Sequence, residues 1–74
     1  MSSKMALEVD EKMDEVLDVM SEHGYATTGM ITDRTGYSRP TVTKRLDKLK
    51  AADCIDYVHK PTALWELLND PRDA

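Results

Sequence analysis

A helix end and a helix start fall within five residues near the middle of this chain. Gly36 ends the preceding segment, because glycine readily adopts the left-handed backbone conformation that closes a helix. Ser38 suits the N-cap of the next helix, and Pro40 falls in its first turn, where the missing N–H costs nothing. We therefore expect a tight turn between two helices, one over residues 29–35 and one from 38 to about 52.

An amphipathic helix precedes this pair. We expect this helix from Asp10 to His23. Apolar residues recur within it and just before it at three- and four-residue spacing, and the stripe consists of Val9, Met13, Val16, Leu17 and Met20. Gly24 follows at the expected C-cap. Thr28 is the expected N-cap of the helix over 29–35, because a threonine hydroxyl accepts from backbone N–H groups that have no partner within the helix.

The remaining segments have strand character. Residues 25–27 are too short for an independent strand but suit a sheet edge. Residues 54–59 and 63–68 are rich in β-forming side chains and flank a turn over 60–62, which predicts a hairpin. The order helix, short strand, helix, turn, helix and hairpin predicts an α+β fold with three helices and a C-terminal hairpin.

Length and composition narrow the class of protein. Seventy-four residues indicate one domain over 1–74, with an ordered core over about 10–68. The single cysteine excludes an intramolecular disulfide, and without CxxC or a Cys/His cluster we expect no metal and no cofactor. There is no signal-peptide core and no long apolar run, so we expect a cytoplasmic protein that does not enter membranes.

The charge is unevenly distributed along the chain. The net charge is −4, yet residues 25–62 carry seven Lys or Arg against four Asp. The segments on either side are acidic. Because the field at a surface depends on local charge, an acidic chain of this kind can present one basic face.

The helix that starts at Ser38 separates apolar from polar residues at 100° per position. Val42, Leu46 and Leu49 form an apolar stripe, with Asp53 on the same side. The opposite side and its flanks carry Pro40, Thr41, Thr43, Lys44, Asp47, Lys48 and Ala51, and Ser38 and Arg39 precede them. Hydroxyls and long cations of this kind contact phosphates and base edges.

The segment over residues 28–46, together with Leu49 and Ile55, resembles winged helix-turn-helix regulators of the broad MarR and ArsR type. The closest likeness is to small stand-alone forms common in archaea and their viruses. Residues 58–67 are similar to the wing hairpin of those proteins, and the likeness covers roughly residues 10–68. It implies a winged helix-turn-helix fold and a sequence-specific, double-stranded DNA-binding transcription regulator that acts as a repressor.

The resemblance also implies roles for particular residues. The helix from Ser38 would enter the major groove, with Ser38, Arg39, Thr41, Thr43 and Lys44 facing DNA and with Pro40 and Lys48 beside them. Arg45 would reach a phosphate from the flank. Lys60, with His59, would contact DNA from the tip of the wing, and Thr28 would offer its helix N-terminus to a phosphate.

The sequence departs from this family pattern at a few positions. Asp53 stands where a glycine is usual, Cys54 stands in place of a leucine, and Thr35 stands in place of a larger apolar residue. These changes bear on the tightness of the core more than on DNA binding. The wing is also very short.

A homodimer is expected, because one short recognition helix covers few base pairs. The sequence lacks the long C-terminal helix by which many such regulators dimerise. The first helix and its apolar extension are the expected contact, and the candidates are Met5, Ala6, Leu7 and Val9, with Leu64 and Leu68 on the outer strand face.

The same residues also allow interpretations that do not involve specific DNA binding. The basic run alone also fits a solvated helix face, and the acidic first helix fits a winged helix that binds proteins instead of specific DNA. We expect Cys54 and Trp65 to belong to the core, and for His59 an ordinary exposed residue at the end of a strand is favoured over a DNA contact. His23, Cys54 and His59 lie on three different elements, so the sequence indicates no catalytic site and no enzyme.

Overall fold

Three α-helices and three strands make up the computed structural model, which describes residues 7–73. The elements are α1 (Glu11–His23), β1 (Tyr25–Thr27), α2 (Thr28–Thr35), α3 (Arg39–Ala51), β2 (Ile55–His59), a 3-10 turn (Lys60–Thr62) and β3 (Leu64–Leu67). This order confirms the predicted α+β winged helix with a C-terminal hairpin.

Side-chain caps fix where α1 and α3 begin. Asp10 is the N-cap of α1 and precedes its first helical residue; its carboxylate accepts from the Met13 N–H at 2.8 Å. Ser38 caps α3 as predicted, accepting from the Thr41 N–H at 3.4 Å. Gly36 adopts φ 76° after α2. The tight turn between α2 and α3 therefore forms at the residues that the sequence indicated.

The cap of α2 differs from the prediction by one residue. Thr27, not Thr28, accepts from the Met30 N–H, at 3.0 Å. Thr28 is the first helical residue, and its side chain points into the protein interior. Either threonine has the chemistry of a cap, and the interior contact of Thr28 determines which one serves.

The sheet has the order β1-β3-β2, with β3 in the centre and antiparallel to both neighbours. The three-residue β1 is an edge strand, as expected. Ala63 has φ 52° and ends the 3-10 turn, so β3 begins at Leu64, one residue later than predicted. Similarly, β2 begins at Ile55, one residue after Cys54.

The core lies between the helices and the inner face of the sheet. The predicted α3 stripe of Val42, Leu46 and Leu49 is buried, with each residue at most 1% exposed. It packs in one cluster with the apolar residues of α1, which are Met13, Val16, Leu17, Val19 and Met20. Trp65 and Cys54 also lie in the core, as predicted, and burial raises the pKa of the Cys54 thiol.

The polar residues after β3 fold back onto α1. Arg72 Nη1 lies 3.0 Å from Asp14 Oδ1 and 2.6 Å from Asp18 Oδ1, and its Nη2 lies 2.8 Å from Asp70. The hydrogen bonds from Arg72 lower the pKa of the Asp70 carboxyl. One guanidinium therefore pairs with three carboxylates and fastens the end of the chain to the first helix.

Arg72→Gln should lower the free energy of unfolding by about 1 kcal/mol at neutral pH, because the variant loses charge-assisted hydrogen bonds at a partly exposed site. Since the pKa of Asp70 is lowered in the folded state, its stabilising effect is complete above the unfolded value of about 4 and is lost as pH falls through the folded value. Denaturant titrations between neutral and strongly acidic pH measure both effects. Asp73→Asn, in the same segment, is the matched control. Equal stability of Arg72→Gln and the wild type would contradict the assignment.

Candidate nucleic-acid interface

The solvent side of α3 carries most of the residues that the sequence predicted to face DNA. Exposed residues there are Ser38, Arg39, Pro40, Thr43, Lys44 and Lys48, and Thr41 is half-buried. Burial of the opposite apolar stripe forces this side outward. The structure therefore brings these seven residues together on one helix, and we call them the α3 face.

Three cations of the α3 face have no ion-pair partner among residues 7–73: Arg39, Lys44 and Lys48. The other cations that precede β2 in the basic segment are engaged. Arg34 pairs with Glu22 at 2.6 Å, and Lys50 pairs with Asp56 at 3.4 Å. The unneutralised positive charge of the helix-turn-helix is thus concentrated on its exposed second helix, although Asp47 is also exposed there.

The start of α3 is polar and ordered. Ser38 Oγ lies 2.9 Å from Thr41 Oγ1, so the two hydroxyls hydrogen-bond each other beside the helix N-terminus. The unpaired N–H groups of a helix N-terminus attract anions. Pro40 has no N–H and the Thr41 N–H already donates to Ser38 Oγ, so the Arg39 guanidinium and the two hydroxyls are the groups that suit this end of α3 to a phosphate or an electronegative base edge.

Arg45 occupies a different position from the predicted one. Its Nη2 lies 2.8 Å from Asp10 Oδ2, and only 17% of its side chain is exposed. The hydrogen bond from Arg45, with that from the Met13 N–H, lowers the pKa of Asp10. Instead of reaching a phosphate from the flank, Arg45 joins the middle of α3 to the N-cap of α1.

The structure also contradicts the predicted phosphate contact at Thr28. Thr28 is 6% exposed, and its Oγ1 accepts from the indole Nε1–H of Trp65 at 3.0 Å. Its backbone N–H donates to the Ala63 carbonyl at 3.0 Å. Both groups that would have met a phosphate are thus occupied, so Thr28 does not belong to the candidate surface.

The tip of the wing presents His59 and Lys60, both exposed. His59 Nδ1 lies 2.9 Å from Thr62 Oγ1, which closes the turn locally. Lys60 Nζ lies 5.6 Å from the centroid of the Tyr57 ring, within the range of a cation–π contact. The wing therefore carries one exposed cation in contact with an aromatic neighbour.

Two contacts that shape this surface were not predicted: Asp10 to Arg45 and Thr28 to Trp65. A partial signal existed for the second, because a buried indole N–H requires an acceptor. Placing Trp65 in the core therefore implied a hydroxyl or carbonyl nearby. Nothing in the sequence identified Thr28 as that group.

Among residues 7–73, no three His, Cys, Asp or Glu side chains lie close enough together to hold a metal ion. Within the same part of the chain, no helix has the length and apolar character that crossing a membrane requires.

A family model described as MarR family matches residues 15–63, which is about two thirds of the chain. The match runs from α1 through both helices of the helix-turn-helix and ends just after the turn of the wing. No curated protein and no solved structure matches the chain at a significant level.

Asp10→Ala should destabilise the protein by about 1 kcal/mol, because α1 loses its N-cap and Arg45 loses its partner. Asp10→Asn is the matched control, since it keeps a capping oxygen and removes only the charge. Since Arg45 lowers the pKa of Asp10, the contribution of the charge is complete above about pH 4 and is lost as pH falls through the folded value. Urea denaturation at several pH values measures both. Asp10→Ala as stable as Asp10→Asn would rule out the capping role.

Proposed function

This chain belongs to the MarR family of winged-helix transcription regulators, and we propose that it binds specific double-stranded DNA sites as a repressor. The observation that carries the proposal is the α3 face, where Arg39, Lys44 and Lys48 are exposed and unpaired among the described residues. A helix that presents cations and hydroxyls at its N-terminal half fits the major groove.

Arg39 and Lys44 are the proposed base-reading side chains. Arg39 is the first residue of α3, and Lys44 lies just over one turn further along. An arginine guanidinium can donate two parallel hydrogen bonds to guanine, and a lysine can also donate to guanine. Ser38, Thr41, Thr43 and Lys48 supply contacts to phosphates or base edges around them.

The rest of the protein surface favours this orientation. α1 and the segment after β3 are rich in acids, and the net charge of the chain is −4. Phosphates are repelled from these faces and attracted to the α3 face. The wing would then approach the neighbouring backbone, with Lys60 on a phosphate and His59 beside it.

A second function has some support. The acidic, exposed side of α1 also fits a winged helix that binds a basic protein partner without specific DNA binding. A mobility shift over a range of salt concentrations separates the two. Salt-dependent retention of duplex DNA supports the regulator, and no retention at low salt supports the protein-binding module.

We also propose a cytoplasmic protein without catalytic activity. Support comes from the placement of the only Cys and His side chains: Cys54 is 6% exposed with a raised pKa, and His23 and His59 lie at the ends of α1 and β2. A buried thiol with a raised pKa is a poor nucleophile.

We propose that the protein forms a homodimer through a surface that differs from the one the sequence predicted. Met5 and Ala6 lie outside the described residues, whereas Leu7 and Val9 pack against the core of their own protomer. Leu64 is half-buried. Leu68 and Tyr25 are about half exposed. We therefore propose that these two side chains, near the junction of β1 and β3, form the centre of a two-fold contact.

Arg39→Ala and Lys44→Ala should each weaken binding to a preferred duplex by about 1–3 kcal/mol, with much smaller losses on unrelated DNA, because base contacts carry the discrimination. Lys50→Ala is the matched control, since Lys50 lies on the same helix but pairs with Asp56. Fluorescence anisotropy with labelled duplexes measures the affinities, and circular dichroism checks the fold. If both variants discriminate between sequences as well as the control does, α3 is not the recognition helix.

Sedimentation equilibrium at micromolar concentration without DNA should give twice the 8.4 kDa chain mass. Leu68→Glu should give the monomer mass, because it places a charge in an apolar contact. Val58→Glu, at an equally exposed position near the wing tip, should leave the dimer intact. A monomer mass for the wild type would remove the proposed dimer in free solution.

A further inference from the structure

The geometry points to Thr28 and Trp65 as positioning residues for the wing. We propose that their buried hydrogen bond fixes the wing relative to the helix-turn-helix, so that Lys60 meets a phosphate while α3 occupies the major groove. This inference rests on the proposed function and adds residues that do not themselves touch DNA.

The bond joins two groups that have few alternatives. Thr28 is 6% exposed and Trp65 is 3% exposed, and the indole Nε1–H lies 3.0 Å from the threonine Oγ1. An indole offers only a donor, and a buried donor without an acceptor is strongly disfavoured. Any rotation of the wing that separated these atoms would leave the indole N–H buried without an acceptor. The bond therefore opposes such a rotation.

The same threonine holds the wing at a second point. The Thr28 N–H donates to the Ala63 carbonyl at 3.0 Å. Ala63 and Trp65 are two residues apart on the hairpin, one at the end of the turn and one within β3. Two attachment points to a single residue of α2 restrict both the distance and the twist of the wing.

We call the Thr28–Trp65 hydrogen bond the anchor. A chain of contacts leads from it to the wing tip. The Trp65 ring stacks on the Tyr57 ring at a centroid distance of 3.9 Å and an interplanar angle of 24°. Lys60 Nζ lies 5.6 Å from the Tyr57 centroid, and the Lys60 carbonyl accepts from the Ala63 N–H at 2.9 Å. Contacts through Tyr57 thus connect the wing lysine to Trp65.

A hydroxyl–indole hydrogen bond at this position can fix the orientation of the wing, which apolar packing alone would not do. An apolar side chain of similar size, such as valine at position 28, would fill the same volume without selecting one angle of the wing. Buried polar pairs that are fully satisfied specify a single arrangement. The functional consequence of removing this pair should therefore exceed its consequence for the fold.

The first test uses the free protein and requires no DNA. Trp65 is the only tryptophan, so one indole N–H resonance reports on the anchor. Its hydrogen exchange should be slow in the wild type, in Thr28→Ser and in Thr27→Val, which loses the neighbouring cap hydroxyl instead. Exchange should be at least about tenfold faster in Thr28→Val, as expected for a proton that has lost its buried acceptor. Equal protection in Thr28→Val would overturn the anchor.

The second test measures how Lys60 contributes to DNA binding in each background. Lys60→Ala should lower the slope of log affinity against log salt by about one in the wild type, because one phosphate contact is lost. The same loss should occur in Thr28→Ser and Thr27→Val. In Thr28→Val the loss should be below about half a unit, since the lysine no longer reaches its phosphate reliably.

Trp65→Phe removes the same bond from its other end and should give the same reduced loss, which keeps the test valid if Thr28→Val does not fold. An undiminished effect of Lys60→Ala in both backgrounds would overturn the positioning role. If the wild type shows no salt-dependent DNA binding, the proposed function fails together with this role, whereas indole exchange still shows whether the anchor exists.

Discussion

The packing of α3 against α1 determines what this protein presents to its surroundings. Val42, Leu46 and Leu49 are buried against the apolar residues of α1, so the opposite side of the same helix must face solvent. That side carries Arg39, Lys44 and Lys48. Apolar burial, which is non-directional and dominates folding, thus indirectly selects which charged groups are available to a partner.

Ion pairs also determine which of the cations remain available to a partner. Arg34, Arg45 and Lys50 contact acids on other elements, and Arg72 pairs with acids of α1 and of its own segment. The structure therefore uses part of its positive charge internally and leaves the α3 face basic on an otherwise acidic protein. Such a distribution explains how a chain with a net charge of −4 fits a nucleic-acid-binding role.

The sequence predicted the features that depend on local physics. Gly36 and Ser38 define the turn and cap by their own conformational and hydrogen-bonding preferences, and the α3 stripe follows from helical periodicity. Contacts between residues far apart were not predictable in this way. Arg45 and Asp10 are separated by 35 positions, and Trp65 and Thr28 by 37. Those two contacts are the ones that removed Arg45 and Thr28 from the predicted DNA surface.

Selection of binding sites from a random-sequence duplex library tests the central claim most directly. We expect a short motif to be enriched within a few rounds, present as two inverted halves whose centres lie about 10–10.5 base pairs apart, as two-fold symmetric helix-turn-helix proteins require. A library that stays random through repeated rounds, with retention that depends on salt alone, would contradict it. That result would leave a winged helix with a basic face but no sequence-specific role.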